Sequence, residues 1–211
     1  MVSPDQLPEL MLQAESADSR ASLQWYWQSG DAVHLLRISA VESAGAQRIE
    51  GLHQLPSLRG STPMPPRCHA EIVGLLGPAC AGAWGPLMPE LGRLLQQCPH
   101  PGCSLACQQL GGATQRVPVE ATSFVHRNAA WKPWITAAWT PGDASGQTRS
   151  LAWLEQVWQL LQPVCPGVHL AQFHDHLPFH QKELEAAFGP WLPGLRQLKQ
   201  RLDPAGTLPT L

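Results

Sequence analysis

"SLQWYWQSGDAVHLLRISAV", residues 22–41, decides the fold. Leu23, Trp25 and Trp27 alternate with Gln24, Tyr26 and Gln28, the period-two pattern of a half-buried strand. "SGD" then turns the chain into a second extended run with Val33, Leu35 and Arg37 on one face. The pair predicts an antiparallel hairpin. Working outward, "SLACQQLGG" and "TQRVPVEATSFVHR" read as extended, and "WITAAWT" (134–140) and "VHLAQF" (168–173) as strands. "RSLAWLEQVWQLLQ" (149–162) puts Leu151, Leu154, Val157, Trp158 and Leu161 on one helical face and stops at Pro163. "GPLMPELGRLLQQC" (85–98) repeats the pattern with Leu87, Leu91, Leu94 and Leu95. "HAEIVGLL" (69–76) reads as a short helix ended by Gly77-Pro78. Residues 42–66, rich in Gly, Ser and Pro, read as loop with a short helix near Arg48. "QKELEAAF" and "WLPGLRQLKQRL" predict two closing helices, the second with Trp191, Leu195, Leu198 and Leu202 as its buried stripe. Asp203-Pro204 ends it, because the residue before a proline is pushed out of helical geometry. Hairpins without a crossover unit carrying a Gly-rich loop predict an α+β fold, an antiparallel sheet with helices packed on one face.

The totals exclude several function classes. The 211 residues suit one domain, and 44% hydrophobic against 14% charged residues is enough for a proper core. A formal net charge of -2 with no basic block argues against nucleic acid or an anionic membrane as partner. No apolar run reaches membrane-spanning length. The first residues, "MVSPDQLPELMLQAESADSR", carry acids where a secretion signal needs a basic start and an apolar centre, which gives a cytoplasmic expectation. The six Cys are then expected as free, mostly buried thiols.

Three local groupings offer chemistry. "CPHPGCSLAC" (98–107) brings Cys98, His100, Cys103 and Cys107 close together in sequence, but not as the two short-spaced pairs that zinc favours. "HDHLPFH" (174–180) offers His174, Asp175, His176 and His180 as a metal set or as solvated loop histidines. "ATSFVHRNAAWKPW" (121–134) sets His126 and Arg127 among aromatic bulk. There are no paired catalytic carboxylates and no nucleophile elbow, and no metal ligand is assigned.

Residues 109–208, taken in order, resemble the C-terminal part of berberine-bridge-enzyme-like FAD-linked oxidases. "QLGGATQRVPVEATSFVHRNAAW" is similar to that family's Gly-Gly-Ala turn leading to Thr-x-Phe-x-His-Arg, through Gly111, Gly112, Ala113, Thr122, Phe124, His126 and Arg127. "WLEQVWQLLQPVCPGVHLAQF" resembles its helix, Pro, Gly and core strand. "AAFGPWLPGLRQLKQRLDP" resembles its closing pattern, with Phe188, Gly189, Leu195, Leu198, Lys199, Asp203 and Pro204. Residues 1–108 would then be the first part of the same substrate domain, and 109–211 its family-like C-terminal segment.

The resemblance implies the substrate-binding part of an FAD-dependent oxidoreductase, inactive alone. It would act on a small molecule, with the flavin held by another polypeptide. His126 would be catalytic and line the substrate side of the flavin. Gln172 and Phe173 would lie beside the cofactor and Leu170 beside the substrate, while Gly111, Gly112, Arg127, Asp203 and Pro204 would be structural. Arg127 is expected to anchor its strand through a charge-assisted hydrogen bond. The sequence departs from the family where Leu170 replaces a customary Tyr, a change that leaves the proton-accepting role empty or passes it to another group such as His169 or His174. No segment resembles the family's flavin-carrying stretch. The alternative expectations are a non-catalytic remnant that binds a small molecule or a partner, and a metal-binding domain built on the 174–180 histidines.

Overall fold

The computed structural model describes residues 1–30, 32–42, 44–59, 67–122, 124–169 and 177–208. Strands β1 (Ala21–Trp27), β2 (His34–Ser39), β3 (His69–Leu76), β4 (Ser104–Gln109), β5 (Trp131–Trp139) and β6 (Gly167–Val168) form one sheet in the order β2-β1-β4-β5-β3-β6. Every pairing is antiparallel. Helices α1 (Leu7–Glu15), α2 (Met88–Gln96), α3 (Ala144–Leu161), α4 (His180–Phe188) and α5 (Leu192–Leu202) complete the chain. The expected architecture of an antiparallel sheet with helices alongside is present. No described helix is long and apolar enough to cross a membrane.

The expected antiparallel hairpin forms, with Trp25 opposite Leu35 and Leu23 opposite Arg37. Leu23, Trp25 and Trp27 point into the core with Leu105, Cys107, Trp131, Ile135, Val73 and Leu75. Onto this face pack Leu7 and Met11 of α1, Leu91, Leu94 and Leu95 of α2, and Leu154, Val157 and Leu161 of α3. Burying such large side chains contributes about 1.5–3 kcal/mol each. Polar anchors fix the layers. The Trp153 indole donates to the Leu94 carbonyl at 2.8 Å, joining α3 to α2. Glu15 Oε1 accepts from Trp131 Nε1 at 2.6 Å and from the Ala81 amide at 2.9 Å, joining α1 to β5 and to the turn before α2.

Several local expectations differ from the structure. Residues 69–76 form a central strand, not a helix: Val73, Gly74, Leu75 and Leu76 are all buried, so the segment reads as a continuous apolar run without strand periodicity. The described part of residues 114–127 is not extended. Gly111 and Gly112 have φ of 139° and 61°, and 3-10 turns follow at Gly112–Arg116 and Val119–Ala121. The short helix expected near Arg48 is a 3-10 turn at Leu52–Gln54. α3 begins earlier than expected, where the Asp143 side chain caps it by accepting from the Gly146 amide at 2.8 Å. Tyr26, expected on the solvated side of β1, is 5% exposed because the Arg59 guanidinium covers its ring at 5.1 Å. The α5 stripe is not buried: Trp191, Leu198 and Leu202 are exposed, and of that helix only Leu192 is buried.

Candidate functional site

The helices that cover the core leave the opposite face of the sheet only half-buried. Alternation along paired strands places two rows of side chains on that face. The first row runs Gln24, Gln108, Lys132 from β1 through β4 to β5. The Gly77–Trp131 bridge continues the β3–β5 register, which puts Leu76 opposite Lys132 and Gly167 opposite Leu76. The second row runs Tyr26, Ala106, Trp134, Gly74. It reaches His169, whose amide donates to the Gly74 carbonyl at 3.0 Å. Gly74 is buried beneath His169: a Cβ there would lie 3.1 Å from the His169 Cβ and 3.7 Å from its Cγ and Nδ1. The His169 side chain therefore packs over Gly74, beside Trp134. The Lys132 ammonium sits 5.7 Å from the Trp134 ring centroid.

His126 reaches the same face from the segment before β5. Its ring lies over Gly167, where a Cβ would come within 2.7 Å of His126 Nδ1 and 2.9 Å of the Leu76 carbonyl. Gly167 is thus required by close approach and not by backbone conformation. Gly167→Ala is expected to cost about 1–3 kcal/mol, because the carbonyl cannot give way. Urea denaturation measures this, and a midpoint equal to wild type would show that the imidazole does not sit there. His126, Val125, Asn128, Leu76, Gly77 and Gly167 line a cleft of about 280 Å³. His126 Nε2 is buried without a hydrogen-bond partner among the described residues.

Burial holds the His126 pKa below the ordinary imidazole value, partly opposed by the Ala186 backbone. Burial and the nearby Lys132 charge do the same to His169. Both groups bind a proton more weakly folded than unfolded. Their contribution to stability is therefore intact above the unfolded value of about 6.5 and is lost as the pH falls through it towards the folded values. The urea midpoint is expected to drop between about pH 7 and pH 5. His126→Gln should flatten that drop, and an unchanged slope would assign the effect to other groups.

The other expected site residues are spread more widely. Arg127 lies outside any strand, so it does not anchor one. Its guanidinium donates to Thr122 Oγ1 and sits 5.1 Å from the Phe124 ring, which also meets His126 edge-on at 5.9 Å. It clamps the loop that carries His126. Gly111 and Gly112 make the turn after β4 in the left-handed region open to glycine. Asp203 closes α5, accepting from Lys199 Nζ at 2.5 Å, from Thr207 N and Oγ1 at 2.7 and 2.8 Å, and from Leu208 N at 2.9 Å. These bonds hold its pKa well below the usual carboxylate range, and Pro204 follows it. Leu170, Gln172, Phe173, His174, Asp175 and His176 lie outside the described residues. His180 begins α4, with Nδ1 3.9 Å from Glu183 Oε2. Cys107 is buried in β4, Cys103 donates to the Ala138 carbonyl, and His100 Nδ1 accepts from Gly102. All six Cys are free thiols, and among the described residues no group of three His, Cys, Asp or Glu could hold a metal.

Berberine bridge enzyme from Eschscholzia californica superposes with a TM-score of 0.58, at 17% identity, covering 99% of this chain and 52% of its own. BBE-like 28 from Arabidopsis thaliana gives 0.60 at 14% identity, covering 95% of this chain and 51% of its own. GilR, an oxidoreductase catalysing the terminal step of gilvocarcin biosynthesis and solved with pregilvocarcin, gives 0.66 at 13% identity, with 98% and 51% covered. The chain has the FAD-linked oxidase C-terminal-like fold. It spans about half the length of these solved structures. No protein-family model and no curated protein matches the sequence.

A flavin is implied by this fold, and the residues on the open face fit only part of one. The half-buried Trp134 and Lys132 offer an aromatic surface and a cation. The backbone amides of the paired strands are engaged in the sheet, so this face offers no cradle for the cofactor's phosphates. Apart from His126 and His169, the polar members of the face are not singled out by sequence alone. Gln24 and Gln108 resemble ordinary solvated positions until pairing aligns them with Lys132. The available signal is the alternation of Lys132, Trp134 and Thr136 against Trp131, Pro133 and Ile135.

Proposed function

We propose that this chain is the substrate-binding half of an FAD-linked oxidoreductase, working against a flavin held by another polypeptide. The observation that carries this reading is the open sheet face, lined by His126, His169, Lys132 and Trp134, in a fold that makes up half of such oxidases. The flavin, when bound, accepts a hydride from a substrate C–H bond. The chain's part is to seat a small molecule on the sheet and to take up the accompanying proton. His126 is suited to accept it, because its low pKa keeps the imidazole neutral near pH 7 and Nε2 is unpartnered among the described residues. The exposed Leu198 and Leu202 of α5, with Trp191 just before it, support a partner chain, since apolar stripes at helical spacing are ordinarily covered.

The deciding experiment is gentle purification of the tagged chain from its host, followed by a visible spectrum and substrate addition. A yellow complex with a flavin-bearing companion, bleached by a small-molecule substrate under anaerobic conditions, is the expected result. A colourless, solitary chain would leave a ligand-binding domain without redox chemistry and would overturn the reading.

A further inference from the structure

We propose that the cleft between α3 and the start of α4 binds a zwitterion, an α-amino acid with an apolar side chain. The cleft has a volume of about 570 Å³ and shares no lining residue with the one at His126, so this inference does not rest on the substrate-binding reading. Glu155, Trp158, Gln159 and Gln162 form one wall, at the i, i+3, i+4, i+7 spacing that puts them on one face of α3. Phe179 and Lys182 stand on the other. Trp158 and Phe179 are buried and stack on each other with ring centroids 4.4 Å apart, so they close the inner end. Gln159 and Lys182 are exposed at the mouth, and Glu155 and Gln162 are half-buried between.

The charges decide the ligand class. Glu155 and Lys182 are of opposite sign and face the same cleft from its two walls. Neither joins an ion pair among the described residues, whose pairs involve Arg20, Arg93, Arg149, His180 and Lys199. The gap between them is therefore wider than an ion-pair contact. Glu155 Oε1 accepts from Gln159 Nε2 at 3.2 Å, and its other oxygen has no partner among the described residues. A molecule with an ammonium and a carboxylate spans this gap. Its ammonium donates to Glu155 and its carboxylate accepts from Lys182, two charge-assisted hydrogen bonds. Gln162 adds an amide donor and acceptor beside them. A ligand carrying charges of one sign only would meet one wall of its own sign, so the pair of walls selects against it. The apolar part of the ligand points to the inner end, towards Trp158 and Phe179.

L-Phenylalanine is the probe. Its counterparts are N-acetyl-L-phenylalanine, which lacks the ammonium, and L-phenylalanine amide, which lacks the carboxylate. Isothermal titration of the full chain at about pH 6, where an α-amino group is protonated, compares the three. L-Phenylalanine is expected to bind at least about tenfold more tightly than either counterpart, the loss expected for one charged hydrogen bond. Glu155→Gln should abolish the preference over the acetyl compound and keep that over the amide. Lys182→Met should do the reverse. Both side chains reach solvent, so the two variants should fold, and the urea midpoint checks this. NMR of the wild-type protein gives a second measurement: L-phenylalanine should shift the Trp158 indole ahead of that of Trp153, which is bonded to Leu94. No binding by wild type, equal affinity for the three probes, an unchanged preference in either variant, or shifts confined to residues outside the cleft would each overturn the proposal. Since no flavin takes part, the outcome is independent of the purification experiment. A chain that binds phenylalanine yet has no flavin partner would refute the oxidase reading alone.

Discussion

Trp131→Ala is expected to lower the unfolding free energy by about 3–5 kcal/mol, the range for removing a large buried aromatic side chain. Trp131 is completely buried at the start of β5, where it pairs with Gln109 and bridges to Gly77. Its indole nitrogen also satisfies Glu15, so truncation opens a cavity and removes one of the two bonds holding that carboxylate. The two effects separate in a second variant. Trp131→Phe keeps most of the ring volume and loses only the donor, at a cost of about 1–3 kcal/mol. Urea midpoints at constant slope read both. A Trp131→Ala protein within about 1 kcal/mol of wild type would mean that α1 and β5 are not joined through this residue.

His126→Ala, in the complex with the flavin partner, is expected to slow flavin reduction by about 10²–10⁴-fold, the usual contribution of a positioned general base. The fold should persist, since the imidazole is only half-buried and Nε2 has no partner to lose among the described residues. Stopped-flow bleaching of the flavin band measures the rate, and the urea midpoint controls for folding. The cleft beside His126 is small, so the alanine variant can admit an external imidazole, and partial rescue by added imidazole would assign the lost function to the ring itself. A wild-type reduction rate would reduce His126 to a residue that packs over Gly167.

The hairpin, α2 and the apolar face of α3 are legible in the sequence because each buries one face and exposes the other, which writes a period into the residues. β3 is not, because a strand buried on both sides has no alternation, and "HAEIVGLL" satisfies a helix pattern equally well. α1 is hidden for a different reason: Leu7, Met11 and Ala14 are its buried positions, but the surrounding Pro4, Pro8 and acids mask its period. The α5 stripe is apolar as expected and yet lies outside the core; periodicity reports amphipathicity and cannot say which partner covers the face. Of the site, the His126–Gly167 approach joins residues far apart in sequence. Only sheet order brings Lys132, Trp134 and His169 onto one surface.

The strand order also sets a sequence of events during synthesis. β1 and β2 can pair as soon as both have emerged, and β4 can join β1 shortly after. β3 has only β5 and β6 as neighbours, and both are translated later. From the time residue 76 leaves the ribosome until Trp131 follows it, Val73, Leu75 and Leu76 belong to a strand with both edges open, the state most prone to wrong pairing. The segment between carries α2 and β4, which can shield the growing core but cannot pair with β3. Folding of the second half of the sheet is therefore a late, long-range event. Cellular yield depends on how well that waiting strand is protected as much as on the stability of the finished domain.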